Sequence, residues 1–110
     1  MRTLQSPDDL DDAVRDSYTR PIVIFKHSLT CGRSAAAFEE VEELRTFEPE
    51  AEVFIVSVQR ERAMSNAIAA RFKLRHESPQ LLVLRDGAVA WHASHYRVTR
   101  EEIAAALSGS

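Results

Sequence analysis

Apolar residues recur at helical spacing in four stretches of the chain. The first stretch begins at Ser6, which is followed by a proline and two acidic residues, a pattern typical of a helix N-terminus. Further helices are predicted over residues 35 to about 47, over about 60 to 73, and after Thr99, where a glutamate three residues on completes a capping-box pattern. Four helices are therefore expected, the first of them close to the N-terminus.

Continuous apolar runs between these helices predict strands that are buried on both faces. Residues 22–25 and 53–58 form two such runs with a helix between them, which implies a parallel pair with a right-handed crossover. Residues 81–84 and 88–91 flank an Asp-Gly hairpin signal. The order α-β-α-β-α-β-β-α predicts an α/β fold, a three-layer sandwich in which helices flank a mixed four-stranded sheet. A single domain over residues 1–110 is expected.

Composition and charge narrow the classes of function. The chain has 110 residues, of which 45% are hydrophobic and 28% are charged, as in ordinary globular domains. Fourteen basic and seventeen acidic residues are interspersed and give a net charge of −3, so nucleic-acid binding is not expected. The chain shows neither a signal-peptide pattern nor an apolar run of the ~20 residues that a membrane span needs. We expect a monomer that binds neither nucleic acid nor membrane, and a cytoplasmic location, because a reducing compartment fits an unpaired thiol best.

Cys31 is the only cysteine in the chain, and it follows the first predicted strand and precedes the second predicted helix. A single cysteine excludes an internal disulfide and a cysteine-rich zinc site, and the scattered histidines have no metal-ligand spacing, so no metal is expected. Near the first turn of a helix, unpaired N–H groups and the helix dipole favour a thiolate over a thiol. Lys26, His27 and Arg33 are candidate positive charges nearby. Cys31 is therefore a candidate nucleophile; the alternative is an inert buried cysteine, which its polar neighbours do not favour.

Three segments of the chain carry motifs that fit together in order and spacing: Lys26-His27-Ser28-x-Thr30-Cys31-x-x-Ser34, His76-Glu77-Ser78-Pro79-Gln80 and Trp91-x-x-Ser94-His95. Together they resemble the YtxJ-type monothiol bacilliredoxins of the thioredoxin-like superfamily. The resemblance implies a thioredoxin-like fold and a cis peptide bond before Pro79, close to the cysteine. It also implies that the low-molecular-weight thiol bacillithiol is the co-substrate, with no bound cofactor.

Ser34 stands where a dithiol oxidoreductase has its second, resolving cysteine. A hydroxyl cannot release a mixed disulfide, so Cys31 would attack one disulfide and then depend on an external thiol. The expected substrates are S-thiolated proteins, in which a small thiol caps a cysteine. If the resemblance holds, bacillithiol is that cap, and a second bacillithiol molecule regenerates Cys31.

The resemblance also implies roles for other residues of these motifs. Ser34 is expected to donate a hydrogen bond to the Cys31 thiolate, and His27 either stabilises the thiolate or shuttles a proton, or else merely faces solvent at the end of a strand. Ser78 would offer its backbone to the substrate, as in edge-strand pairing, and Ser94 with His95 would contact acidic groups of the small thiol. The full set expected to bind substrate is Thr30, Gly32, Arg33, Ser78, Pro79, Ser94 and His95.

Two other functions stay open. The sequence Cys31-Gly32-Arg33-Ser34 is also similar to the Cys-Gly-Phe-Ser motif of monothiol glutaredoxins, which bridge iron–sulfur clusters using glutathione. Against this, Arg33 replaces the phenylalanine, and residues 92–95 stand where that family has a glycine pair. The third possibility is a thioredoxin-fold adaptor without redox turnover, whose Cys31 would have an ordinary thiol pKa of about 8.5.

Overall fold

The structure is a computed structural model that describes residues 1–30 and 32–108. This part of the chain contains four α-helices and five strands. A short 3₁₀ turn, His95–Arg97, precedes the last helix. In chain order the elements are β1 (Arg2–Thr3), α1 (Pro7–Asp16), β2 (Ile22–His27), α2 (Gly32–Phe47), β3 (Glu52–Ser57), α3 (Arg62–Phe72), β4 (Gln80–Arg85), β5 (Ala88–Ser94) and α4 (Arg100–Leu107).

The strands form one mixed sheet in the order β1-β3-β2-β4-β5. β1, β3 and β2 run parallel, β4 pairs antiparallel with β2, and β5 pairs antiparallel with β4. The predicted α/β sandwich with a mixed sheet is confirmed, but the predicted count of four strands is wrong. The fifth strand, β1, pairs Arg2 with Phe54 and Thr3 with Ile55. Two polar residues carry no apolar pattern, so only the pairing with β3 reveals them as a strand.

Helices cover both faces of the sheet, and the alternation along β2 shows how. Ile22 and Ile24 point into a core shared with α1 and α3, whereas Val23 and Phe25 point into a second core shared with α2 and α4. All four side chains are fully buried, and each stabilises the fold by about 1.5–3 kcal/mol through the apolar surface it removes from water. The apolar run in this strand is therefore explained by two separate cores.

The caps of two helices lie where the sequence predicts them. Ser6 Oγ accepts a hydrogen bond from Asp9 N–H at 3.2 Å, and the Asp9 carboxylate accepts one from Ser6 N–H at 3.2 Å, which completes a capping box. Thr99 Oγ1 likewise accepts from Glu102 N–H at 3.2 Å. These bonds fix the start of α1 and of α4.

The β4–β5 hairpin turns through Asp86 and Gly87, as the Asp-Gly signal predicts. Both residues have positive φ angles, 53° and 80°, as a type I′ turn requires. The turn is tied to the end of α1, because Asp86 N–H donates to the Ser17 carbonyl and Gly87 N–H donates to Ser17 Oγ, each at 2.9 Å.

Three connections meet at one edge of the sheet. β2 and β3 are parallel, so the loop after each of them leaves the sheet on the same side. β4 is antiparallel to β2, and its first residue, Gln80, pairs with Lys26 near the end of β2. The loop that follows β2, the turn that follows β3 and the segment that precedes β4 therefore lie together at this edge.

Candidate functional site

The loop after β2 is folded back onto the first turn of α2. Cys31 itself lies outside the described residues, but its neighbours on both sides are described. Ser34 is fully buried, and its Oγ accepts a hydrogen bond from Ser28 N–H at 3.0 Å. A hydroxyl that accepts one bond can still donate its own proton. The predicted bond from Ser34 to the Cys31 thiolate is thus compatible with this geometry and stays a prediction.

Gln59, in the turn after β3, holds the other side of this loop. Its Oε1 accepts from Leu29 N–H at 3.0 Å, and its Nε2 donates to Ser28 Oγ at 2.7 Å and to Thr30 Oγ1 at 3.4 Å. Gln59 lies outside the three motifs and was not predicted from the sequence as a site residue. The signal was its position directly after a strand parallel to β2, because the carboxyl ends of parallel strands share one edge of the sheet.

His27 is half-buried at the end of β2 and packs on the α2 side of the sheet. Its ring centroid is 5.6 Å from that of Phe25, with the rings stacked, and 5.8 Å from that of Phe38 in α2. Burial lowers the pKa of His27, while the negative charge of Glu61 opposes this shift in part. The imidazole is therefore mainly neutral at pH 7, and it is not merely a solvent-facing group.

Lys26 does not supply an exposed positive charge at the site. Its side chain is fully buried, and its Nζ donates a long hydrogen bond, 3.5 Å, to the carbonyl oxygen of Ser65 in α3. Side chains alternate along a strand, so Lys26 lies on the face opposite to His27 and α2. Burial lowers the pKa of Lys26 from 10.5 to about 8. The expectation of a cation beside the first turn of α2 is wrong for this residue.

Arg33 and Tyr96 form one wall of the site. The Arg33 guanidinium lies over the Tyr96 ring, 3.4 Å from the ring centroid, a cation–π contact between the start of α2 and the 3₁₀ turn. Tyr96 is 74% exposed and Leu29 is 51% exposed, so the loop and the wall present two apolar side chains to solvent. Among the described residues, and apart from the chain neighbours of Gly32 and the backbone of its own helix, nothing lies within 4 Å of the place where a Cβ on Gly32 would stand.

The segment before β4 brings three of the predicted residues together. The peptide bond between Ser78 and Pro79, for which the resemblance implies the cis form, is cis. The Pro79 carbonyl accepts a hydrogen bond from His95 N–H at 3.0 Å. His95 has a positive φ of 56°, which turns the chain at the end of β5 towards this segment. His95 is therefore adjacent to the cis proline through its backbone.

The Glu77 carboxylate contacts the side chains of both Ser94 and His95. Ser94 Oγ donates to Glu77 Oε2 at 2.6 Å, and His95 Nε2 lies 3.4 Å from Glu77 Oε1. The Ser94 hydrogen bond is the largest cause of a lowered Glu77 pKa, with His95 adding to it. Glu77 is thus ionised at neutral pH, and an acidic ligand group brought to Ser94 and His95 would meet its charge. Glu77 stands in the second motif, but no role is predicted for it from the sequence.

Two further properties of the described residues concern metal binding and membranes. Within residues 1–30 and 32–108 no group of three or more histidine, cysteine, aspartate or glutamate side chains could hold a metal ion. No helix in this part of the chain has the length and apolar character needed to cross a membrane.

Comparisons with known proteins give similarity at the level of both family and fold. The chain matches the model of the family described as monothiol bacilliredoxin BrxC over residues 2–103. A solved chain described as having a thioredoxin fold is 28% identical with a TM-score of 0.86, and the match covers 96% of this chain and 91% of that one. Thioredoxin of Fasciola hepatica is 22% identical with a TM-score of 0.78, covering 98% and 97%. Thioredoxin O2 of Arabidopsis thaliana is 19% identical with a TM-score of 0.73, covering 94% and 89%. The thioredoxin-like fold and the resemblance drawn from the three motifs are confirmed.

Proposed function

We propose that this chain, which belongs to the monothiol bacilliredoxin (BrxC) family and is a thiol–disulfide oxidoreductase, removes bacillithiol from S-bacillithiolated protein cysteines. Cys31 would be the nucleophile and bacillithiol the co-substrate, with no bound cofactor. The proposed setting is the cytoplasm, whose reducing conditions keep an unpaired thiol reduced.

The main support for this proposal is that a serine, Ser34, and not a second cysteine stands three positions after Cys31. Ser34 is buried and bonded to Ser28 N–H, and Cys31 is the only cysteine in the sequence. No thiol of this chain can therefore resolve a mixed disulfide formed on Cys31 within the same molecule. The reaction must use an external thiol, which is the property that separates monothiol from dithiol oxidoreductases.

Two exchange steps complete the proposed cycle. In the first, the Cys31 thiolate attacks the bacillithiol sulfur of the mixed disulfide; a new disulfide forms on Cys31, the old one breaks, and the protein cysteine leaves as a thiolate that takes up a proton. In the second, the thiolate of another bacillithiol attacks the bacillithiol sulfur held on Cys31. Cys31 leaves as a thiolate, and the product is bacillithiol disulfide. One protein disulfide is reduced and one small-molecule disulfide is formed.

His27 and Ser34 would assist Cys31 in different ways. A mainly neutral His27 is suited to accept the Cys31 proton and to return it, whereas stabilising the thiolate as a cation would need a protonated ring. Ser34 would donate a hydrogen bond to the thiolate, which lowers the pKa of a thiol. The dipole of α2, which begins at Gly32, acts in the same direction.

The substrate would lie between the loop after β2 and the segment before β4. Ser78 would pair with the substrate through its backbone, and Pro79 would shape the groove without presenting an N–H group. Thr30, Gly32 and Arg33 would line the opposite side, where Arg33 stacks on Tyr96. Ser94 and His95 would complete the groove at the Glu77 end.

The test uses a substrate protein with one S-bacillithiolated cysteine. After this chain is added, the intact masses of both proteins are followed over time. We expect the wild type to free the protein and to gain one bacillithiol mass on Cys31, faster than it gains glutathione from the glutathionylated form of the same protein. Cys31→Ser should abolish the transfer, and His27→Ala should only slow it. Circular dichroism of each variant controls for folding.

Other results would point to the other functions. Full de-thiolation by Cys31→Ser would refute the proposal. Equally slow reactions with the bacillithiolated and the glutathionylated protein, together with an ordinary Cys31 pKa, would favour the adaptor function. A cluster absorption band after anaerobic reconstitution with iron, sulfide and glutathione would favour the iron–sulfur module.

A further inference from the structure

We infer that Gln59 is a positioning residue, which sets the geometry of the loop that precedes Cys31. The inference rests on the proposed function only in that Cys31 is the reacting group. Gln59 is separated from Leu29 by thirty positions in sequence, yet it bonds the loop at three atoms.

The primary amide is suited to this loop because it both accepts and donates. Leu29 presents a backbone N–H, which needs an acceptor, while Ser28 and Thr30 present hydroxyl oxygens, which can take a donor. One glutamine satisfies all three groups. A lysine would supply no acceptor for the Leu29 N–H, and a carboxylate would need both hydroxyls to turn and donate to it, so the amide fits these bonds as they stand.

Two anchors then hold the loop from opposite sides. Ser34 Oγ accepts from Ser28 N–H on the α2 side, and Gln59 Nε2 donates to Ser28 Oγ on the β3 side. A further bond runs within the loop, from Thr30 N–H to Ser28 Oγ at 3.3 Å. The residue directly after Thr30 is Cys31, so the backbone that enters the cysteine is the part that these bonds fix.

The turn that carries Gln59 is itself fixed. Val58 N–H donates to the His27 carbonyl at 2.9 Å, which joins the turn to the end of β2. Ser57 N–H donates to Glu61 Oε1 at 2.7 Å, and Arg60 N–H donates to Ser57 Oγ at 3.2 Å. Gln59 therefore projects from a braced turn, and its bonds restrain the loop relative to the sheet.

Exposure separates a positioning role from a general role in stability. Gln59, Leu29 and Thr30 are all exposed, so water can replace the bonds that a substitution removes, and the cost to global folding is small. The geometry of a reacting group is much more sensitive, since small misplacements slow a reaction strongly. Loss of Gln59 should therefore affect Cys31 reactivity and leave the unfolding transition nearly unchanged.

The experiment compares Gln59→Met, which keeps the length of the side chain and removes its hydrogen bonds, with Gln5→Met, the same change at another exposed glutamine. Four quantities are measured: the pH profile of Cys31 alkylation by iodoacetamide, hydrogen exchange at the Leu29 amide, the rate of de-thiolation, and the urea midpoint of unfolding. For Gln59→Met we expect roughly tenfold faster exchange at Leu29, an alkylation midpoint moved to higher pH, and roughly tenfold slower de-thiolation. The urea midpoint should match that of Gln5→Met.

Gln59→Glu supplies a graded variant, because it retains the acceptor for Leu29 N–H and loses the amide donor, while its negative charge disfavours a nearby thiolate. We expect Leu29 protection to be kept and the alkylation profile to be altered. An alkylation profile of Gln59→Met that coincides with that of Gln5→Met would overturn the inference. If the wild type failed to remove bacillithiol while the alkylation profiles still differed, the proposed function would fail and the positioning role would stand.

Discussion

Replacing the buried Lys26 by methionine should stabilise the protein at neutral pH. The ammonium group is fully buried, and its single described hydrogen bond, to the Ser65 carbonyl, is long at 3.5 Å. Methionine has a similar length and carries no charge, so Lys26→Met removes the cost of keeping a charge among Ile24, Met64 and the other side chains of that core.

The size of the effect follows from the pKa of Lys26, which burial lowers from 10.5 to about 8. Each pKa unit corresponds to about 1.36 kcal/mol, so burying the charged form costs about 3 kcal/mol. Between pH 8 and 10.5 the unfolded chain binds the proton and the folded chain has released it, so stability rises with pH in this window. The cost is complete below pH 8 and disappears above pH 10.5.

The assay is urea unfolding, followed by circular dichroism under reducing conditions at pH 7 and at pH 9.5. At pH 7 we expect Lys26→Met to be more stable than the wild type by about 2 kcal/mol, after allowance of about 1 kcal/mol for the lost bond to Ser65. The advantage should shrink by about 2 kcal/mol at pH 9.5. Lys73→Met, at the other lysine of the chain, which is exposed, is the control and should show no such pH dependence. Parallel pH dependences for the wild type and Lys26→Met would refute the argument.

Two further changes test the site and the hairpin. Ser34→Cys places a thiol at the resolving position, so bacillithiol should leave Cys31 without an external thiol, and intact mass should show an internal disulfide instead of the adduct; a lasting adduct would contradict this. Gly87→Ala places a side chain at a φ of 80°, where its Cβ would also meet the Tyr18 ring. The free energy of unfolding in urea should therefore fall by about 1 kcal/mol relative to the wild type. Gly32→Ala is the control and should lack both penalties, because a Cβ has open space there.

Local chemistry explains which parts of the fold could be predicted from the sequence. Ser6 and Thr99 carry side chains that cap a helix, and Asp86-Gly87 accepts the positive φ angles of a tight turn, so these boundaries were encoded by neighbouring residues. β1 was not encoded in this way. Arg2 and Thr3 form a strand only because they pair with the outer side of β3. A local sequence pattern does not predict such a long-range pairing.

The candidate site likewise contains residues that local motifs predict and residues that only long-range contacts reveal. The cysteine, the serine that follows it and the proline before β4 stand in contiguous motifs, which the sequence displays directly. Gln59 and Glu77 act through contacts with residues distant in sequence, at Leu29 and at Ser94, and only the topology brings these pairs together. The prediction for Lys26 is wrong because a lysine near the end of a strand is usually solvated, whereas this one is covered by α3.

The shortness of β1 has a consequence for self-association. The outermost strand of a sheet exposes backbone groups that can pair with another chain, and a long flat edge promotes aggregation. Here that edge is two residues long, and Arg2 binds the Glu52 carboxylate and stacks 4.8 Å from the centre of the Phe54 ring. A second copy of the chain would therefore find a short, charged template on this side, which limits growth of the sheet into fibres.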